Sequence, residues 1–366
     1  MVKEILDFNM DLLNYNNDYL IDILNSTGEK QQELWNKAVE IRNKNVGNKV
    51  YIRGLIEFSN ICRKNCLYCG IRAGNSNVKR YRLTIDEIME CVDFIFASNI
   101  PSIVLQSGEM VNDEFKEYLI SIIKTIKGKY KNAVITLSSG EFDYEFYKLL
   151  HDLGVERYLL RIESSNPELY SKIHPSDHSH KIRKQCLLDL KKANYQVGTG
   201  NMIGVPQQTD NDIINDLRFF VENDFDMFGL GPYIIHTETP LATKENIEYW
   251  NREKDNILNK TLNFIAMLRI CMPNVNIATA TALDVISPNG RINALKAGSN
   301  VIMPSITPIK NKQNYLLYQN KPNVDDERET IIQQMEAKIK KANMIPAYNE
   351  AGSSLHYKNR NKLSYE

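Results

Sequence analysis

The stretch Val50-Tyr-Ile-Arg-Gly-Leu-Ile-Glu-Phe-Ser-Asn-Ile-Cys-Arg-Lys-Asn-Cys-Leu-Tyr-Cys-Gly70 decides how the chain is read. Its first half is apolar and partly β-branched, as a buried strand of a parallel sheet requires. Its second half sets Cys62, Cys66 and Cys69 at C-x3-C-x2-C just past that strand. Thiolates are soft ligands that suit zinc or an iron–sulfur cluster. A structural zinc site is closed by four protein ligands, yet no fourth cysteine or histidine lies nearby, the next histidine along the chain being His151. Three thiolates on a four-iron cluster leave one iron open to an outside ligand. Gly70 allows close backbone approach beside the last thiol.

Outward from this stretch, short apolar runs alternate with longer segments of helical period, the pattern of a parallel sheet with crossover helices. Strands are expected over Val50–Phe58, Ser102–Gln106, Ala133–Ser138, Arg157–Ile162, Gln196–Met202, Met227–Gly231, Asn276–Ala280 and Asn300–Met303. Helices are expected between them, two beginning at a capping pair: Thr84 with Glu87, and Thr209 with Asp212. Eight strands predict an α/β fold, a complete (β/α)8 TIM barrel. Residues 1–49 read as an N-terminal helical extension, residues 50–308 as the barrel, and residues 309–366 as a C-terminal segment closing the barrel, with a last helix and a loose polar tail. In such a barrel the chemistry sits on the loops leaving the carboxyl ends of the strands. Those positions hold the cysteines, Ser107-Gly108-Glu109, Ser139-Gly140-Glu141, Arg161 and Glu163, Asn201, Tyr233 with His236, Thr279 to Thr281, and Met303-Pro304.

Composition sets bounds on function. The 366 residues are 43% hydrophobic and 25% charged, and 45 basic residues balance 45 acidic ones. No bulk field holds such a chain on nucleic acid or an anionic membrane, so neither is an expected partner. No apolar run approaches the about 18–20 residues of a membrane span. Glu4, Asp7 and Asp11 stand where a signal peptide would be basic and then apolar, so the cytoplasm is the expected compartment. Six cysteines are too few for a disulfide scaffold, and three of them are clustered. Cys91, Cys186 and Cys271 lie in apolar helical contexts and read as buried small hydrophobes.

At this cysteine spacing the sequence resembles the radical SAM superfamily. There the amino and carboxylate groups of S-adenosylmethionine (SAM) chelate the open iron of a [4Fe–4S] cluster, and one electron splits the sulfonium to release a 5′-deoxyadenosyl radical. The resemblance extends along most of the chain. Phe58 to Arg72, Lys79-Arg-Tyr-Arg82, Ile103-Val-Leu-Gln-Ser-Gly-Glu109, Arg157-Tyr-Leu-Leu-Arg-Ile-Glu163 and Asn300-Val-Ile-Met-Pro304 are similar, in order, to the HydE family of [FeFe]-hydrogenase maturases. Biotin synthase and methylornithine synthase are its neighbours. The resemblance implies that Cys62, Cys66 and Cys69 hold the cluster and that Tyr68 lies near the adenine. It implies that Glu163 and Arg183 bind the amino and carboxylate ends of SAM, with Ser107 and Ser138 along its methionyl part. Arg161, Ala280, Thr281, Met303, Tyr315 and Tyr318 match substrate positions, and Arg161 would anchor an anionic, cysteine-bearing iron–carbonyl–cyanide complex. Transient partners implied are the other hydrogenase maturases and an electron donor.

Two readings stand beside this one: a relative acting on a small amino acid or thioether, and a metal-binding module without turnover. The chain also departs from the family. The family's paired threonines fall on Ala280 and Thr281, within Ala278-Thr-Ala-Thr-Ala282, so one hydroxyl is missing unless Thr279 replaces it, and Gln207 takes a glycine's place in Gly204-Val-Pro-Gln-Gln-Thr209. The cysteines of an auxiliary cluster found in some members are lacking. His174, His178 and His180 form H-x3-H-x-H in a polar stretch with Pro175 and Asp177 and read as a loop, not a metal site. His236 reads as a hydrogen-bonded histidine, and Gly198-x-Gly200-x3-Gly204 as a weak dinucleotide-loop match.

Overall fold

The structure, a computed structural model, describes residues 15–363; the part of the expected N-terminal helix before residue 15 lies outside them. Two helices, α1 (Asn17–Leu24) and α2 (Gly28–Asn45), precede the sheet. Leu34, Ala38 and Arg42 recur every four residues on the buried face of α2. Asn263, buried on the long helix α9 (Lys244–Cys271), clamps this extension. Its amide donates to the carbonyls of Leu24 (2.9 Å) and Ser26 (2.8 Å), and its carbonyl accepts from the Trp35 indole (3.0 Å).

The main sheet is parallel and contains seven strands, in the order β10-β8-β6-β5-β4-β3-β2. They are β2 (Gly54–Ser59), β3 (Ser102–Ser107), β4 (Val134–Ser138), β5 (Val155–Leu159), β6 (Gln196–Thr199), β8 (Met227–Phe228) and β10 (Asn276–Ile277). Helices α3 (Ile85–Ala97), α4 (Asp113–Lys129), α5 (Tyr144–Asp152), α7 (His180–Lys192) and α8 (Asp210–Glu222) fall between consecutive strands as the pattern predicts. Both predicted capping boxes form: Thr84 with Glu87 opens α3, and Thr209 with Asp212 opens α8. The strands bury Ile56, Phe58, Ile103, Leu105, Ile135, Leu137 and Val197 in one apolar cluster with the helices.

The complete (β/α)8 TIM barrel expected from the sequence does not form. The sheet is curled but open, and its edges stand 15 Å apart. The expected eighth strand shrinks to β11 (Val301–Ile302), which ladders onto β1 (Lys49–Ile52) in a separate three-stranded sheet whose other edge is β12 (Ile345–Ala347). Isolated bridges, Leu55 with Ser305 and Ala278 with Val301, and not a ladder, link this strand's neighbourhood to the two edges among the described residues. The cause is local. Pro304 has no N–H to continue a ladder, and the single expected strand Val50–Phe58 is two strands, broken at the buried Arg53.

The tail is not loose either. After α13 (Arg328–Lys341), β12 (Ile345–Ala347) pairs in parallel with β1. Ser354 is buried, and His356 sits between Asp226 (2.9 Å) and Asp224 (2.7 Å). The remaining elements are β7 (Met202–Ile203) paired with β9 (Gly231–Pro232), and the short helices α6 (Pro167–Ile173), α10 (Leu283–Ile286), α11 (Gly290–Lys296) and α12 (Ile309–Lys312), followed by α14 (Leu355–Leu363). Among the described residues no helix is long and apolar enough to cross a membrane.

Candidate metal and substrate site

The loop that follows β2 is fixed at both ends before it presents any thiol. Asn60 is buried; its amide donates to the carbonyls of Lys79 (2.9 Å) and Asn314 (2.7 Å) and accepts from Tyr81 N–H (2.7 Å). Arg80 donates from Nη1 to the carbonyls of Asn60 and Ile71, both at 2.7 Å, and from Nη2 to those of Arg72 (2.7 Å) and Asn75 (3.2 Å). Main-chain bonds from Leu67 to Ile173 (3.0 Å) and from Gly70 to Leu317 (2.9 Å) complete the frame. Two glycines let the loop approach its neighbours. A Cβ on Gly108 would stand 2.4 Å from the Ile61 carbonyl and 2.8 Å from Cys62 Cβ, and one on Gly70 would stand 2.1 Å from the Leu316 carbonyl.

So framed, Cys62, Cys66 and Cys69 border a cavity of about 360 Å³ at the carboxyl ends of the strands. Burial pushes all three thiols up, Cys66 to about 12; Cys62 adds to the rise at Cys66, both add to it at Cys69, and Glu109 adds to it at Cys62. Burial outweighs the opposing contacts, among them the N–H of Glu109 donating to Cys62 Sγ at 3.4 Å and the charge of Arg183 near Cys66. Three neighbouring, half-buried thiols whose ionisation is disfavoured suit a cationic metal that stabilises their thiolates. The donor set therefore fits an iron–sulfur group.

Every residue singled out from the sequence for cluster, SAM or substrate borders this one cavity, including Tyr68, Ser107, Ser138, Arg161, Glu163, Arg183, Ala280, Thr281, Met303, Tyr315 and Tyr318. Glu163 stands out. Its backbone is left-handed (φ 63°), a conformation that costs a non-glycine residue about 1–3 kcal/mol. Its side chain is 12% exposed, and Oε2 has no hydrogen-bond partner although Arg161 Nη2 is 2.9 Å away. That arginine nitrogen donates to the Asn201 carbonyl at 2.6 Å. Burial raises the Glu163 pKa, and the charges of Arg161 and Arg183 oppose the shift. A buried carboxylate that shares its guanidinium partner with the Asn201 carbonyl fits a second, cationic ligand group.

Arg183 is held on the same wall, donating from Nε to Glu141 Oε1 (2.7 Å) and from Nη1 to the Arg161 carbonyl (3.2 Å). Burial raises the Glu141 carboxyl, but His178, Arg183 and Lys64 outweigh it and hold the group well below the usual carboxylate range. Ser107 Oγ lies 3.1 Å from Ser139 Oγ. Toward the C-terminal side of the cavity, Tyr318 lies beside Thr281. Ala280 offers no hydroxyl, while the buried Thr279 hydroxyl borders the cavity without a partner.

Several participants went unread in the sequence. Glu57, buried within β2, pairs with Lys321 (2.5 Å) on the cavity wall; a charge inside an apolar strand run was its signal. His174 and His178 lie, as expected, in a turn, between α6 and α7, but this turn reaches the cavity wall. His174, at the end of α6, has its Nε2 3.1 Å from the Tyr68 hydroxyl, and His178, just before α7, has its Nδ1 3.9 Å from Cys66 Sγ. His236, by contrast, is a satisfied histidine whose Nδ1 accepts from Glu238 N–H at 3.2 Å. Cys91, Cys186 and Cys271 are buried in helices, away from the cavity lining.

Residues 56–220 match the family model of the radical SAM superfamily. The chain is 45% identical over 292 residues to the [FeFe] hydrogenase maturase subunit HydE of Thermotoga maritima, covering 79% of this chain and 80% of that protein. It is 27% identical to 3-methylornithine synthase of Methanosarcina acetivorans, covering 78% and 79%. Among solved structures, methylornithine synthase superposes with a TM-score of 0.76 at 22% identity over 95% of this chain and 97% of that one, which speaks to the fold alone.

Proposed function

Because this chain belongs to the HydE family of radical SAM enzymes, we propose that it holds a [4Fe–4S] cluster on Cys62, Cys66 and Cys69, cleaves SAM reductively, and turns the radical on a small amino-acid-derived substrate in the cavity. The observation that carries this reading is the buried carboxylate of Glu163, ion-paired with Arg161, in the cavity that the three thiols border. When bound, the cluster supplies one electron to the SAM sulfonium, releasing methionine and a 5′-deoxyadenosyl radical. The protein's own residues bind and orient. Glu163 accepts the methionyl ammonium, and Arg183, pinned by Glu141, sets positive charge toward the methionyl carboxylate. Tyr68 flanks the adenine, and Ser107 and Ser138 line the methionyl path. Arg161, Thr281, Tyr315 and Tyr318, with Met303 and Ala280 as apolar wall, receive the substrate, and the Thr279 hydroxyl supplies the hydrogen bond that Ala280 lacks. The reading as a metal-binding module without turnover is set aside by the family assignment.

The geometry favours a small substrate with an anionic end, an amino acid or thioether. The 45% identity to a hydrogenase maturase favours one version of it, a cysteine-bearing iron–carbonyl–cyanide precursor of the hydrogenase diiron subcluster. Anaerobic reconstitution tests the shared chemistry. About four irons and four sulfides per chain and reductive release of 5′-deoxyadenosine are expected, with release abolished in Cys66→Ala. Unchanged release in that variant overturns the assignment. Adding the protein to a hydrogenase-maturation mixture lacking its HydE-family enzyme separates the substrates: restored hydrogenase activity supports the iron complex, and no restoration with intact SAM cleavage supports the amino acid or thioether.

A further inference from the structure

Ligand atoms of Cys66, His174 and His178 lie within 4.8 Å of one another, a grouping that suggests a metal-binding triad. The partners of His178 argue for a different use. Its Nε2 faces Arg183 Nη2 at 2.8 Å, and a guanidinium nitrogen only donates. The Tyr170 hydroxyl, also able to donate, and Glu141 Oε1 are farther from Nε2, each at 3.4 Å. Nε2 is therefore assigned as the acceptor, which leaves the ring proton on Nδ1. That atom faces Cys66 Sγ at 3.9 Å. A protonated Nδ1 has no lone pair for a metal, but it donates to sulfur.

The ring is fixed in this pose. His178 is 5% exposed, packed against Tyr170 and edge-on to His174 with ring centroids 4.5 Å apart. Glu141 Oε1 holds Arg183 Nε at 2.7 Å, so a carboxylate orients the arginine, the arginine selects the tautomer, and the tautomer aims one N–H at one sulfur. Hydrogen bonds to cysteinyl sulfur withdraw charge and favour the reduced, more negative cluster. We propose that His178 is a positioning residue of the cluster site, whose Nδ1–H donates to Cys66 Sγ and raises the reduction potential of the cluster that this thiolate carries. The inference rests on the reading of Cys66 as a cluster ligand.

The test is an anaerobic redox titration of the reconstituted full chain, followed by EPR, comparing wild type with His178→Gln and His178→Asn. Glutamine keeps an amide facing Arg183 but has no donor where Nδ1 stood. Asparagine sets an amide nitrogen at that place and gives up the arginine contact. His178→Gln is expected to lower the potential so that the reduced fraction at a fixed potential falls about tenfold, about 59 mV for one electron, and His178→Asn to stay within about threefold of wild type. An unmoved His178→Gln, or an equal drop in His178→Asn, overturns the proposal. Wild-type protein labelled with 15N-histidine gives a measurement independent of any variant. Coupling of a histidine nitrogen and an exchangeable proton to the reduced cluster supports the bond, and absence of coupling overturns it. Iron analysis comes first: a wild-type chain that takes up no four-iron cluster overturns the function and, with it, this inference, whereas a loaded cluster with an unmoved potential overturns the inference alone.

Discussion

Arg80 donates to the Asn60 carbonyl at 2.7 Å while the same nitrogen reaches the Ile71 carbonyl at 2.7 Å, so one guanidinium ties together the two ends of the segment that carries all three clustered thiols. Lysine cannot reproduce this fork, because an ammonium offers a point charge where four carbonyls converge on a plane.

Arg80→Lys is accordingly expected to cost about 2–4 kcal/mol, since hydrogen bonds with a charged partner are worth about 1.5–3 kcal/mol each and some survive. Iron content after reconstitution should fall with it. Thermal denaturation and iron analysis check both, and a variant that melts and loads like wild type removes Arg80 from the frame.

Gly108→Ala places a methyl 2.4 Å from the Ile61 carbonyl and 2.8 Å from Cys62 Cβ. Backbone cannot yield as a side-chain tip can, so the cysteine loop must shift, at about 1–3 kcal/mol. The expected signature is iron loading that falls more steeply than melting temperature. As a control, Gly128→Ala, at a helical glycine with open space around it, should load fully.

Glu163→Gln separates binding from stability. Burial already penalises the Glu163 carboxylate, as its raised pKa records, so removing the charge should leave the melting temperature unchanged or higher. SAM affinity should drop about tenfold or more, the equivalent of one charge-assisted hydrogen bond. Equilibrium binding to the reconstituted protein measures this, and wild-type affinity in Glu163→Gln would remove the carboxylate from the SAM site.

His356 carries a pH dependence. Burial lowers its pKa, but Asp224 and Asp226 outweigh it and raise the imidazole to about 9. A cation whose pKa is higher folded than unfolded contributes stability in full below the unfolded value of about 6.5, and loses it as pH rises through the folded value. Wild type should therefore lose about 1–3 kcal/mol between pH 6.5 and 9 that His356→Gln, already lacking it, does not lose. Denaturant melts at the two pH values compare them; equal losses in both proteins count against the pairing.

The sequence revealed most about the parts of the fold built from repeated apolar spacing and local polar chemistry. The capping pairs at Thr84 and Thr209 are short-range signals, and both form. The cysteine spacing likewise lies within one loop. Pairing of distant strands is less legible. Nothing in Val301–Ile302 says that it prefers β1 to the sheet edges, and Arg53 looks like a residue within one strand instead of a break between two. The tail was misread because it docks through main-chain pairing at Ile345–Ala347 and polar contacts at Ser354 and His356, which leave no apolar period. The roles of His174 and His178 are not legible in their own stretch, because the groups they face, Tyr68 and Cys66, lie more than 100 residues away in sequence.

The frame of the cysteine loop borrows from the far end of the chain. Asn60 is anchored on the Asn314 carbonyl, Gly70 on that of Leu317, and β1 is flanked by β11 and β12. A nascent polypeptide that still lacks residues 301–347 has its thiols but not the scaffold that gathers them. The loop is framed only once those residues have docked, so a translation product cut short before them would be a thiol-bearing fragment exposed to adventitious metal and oxidation.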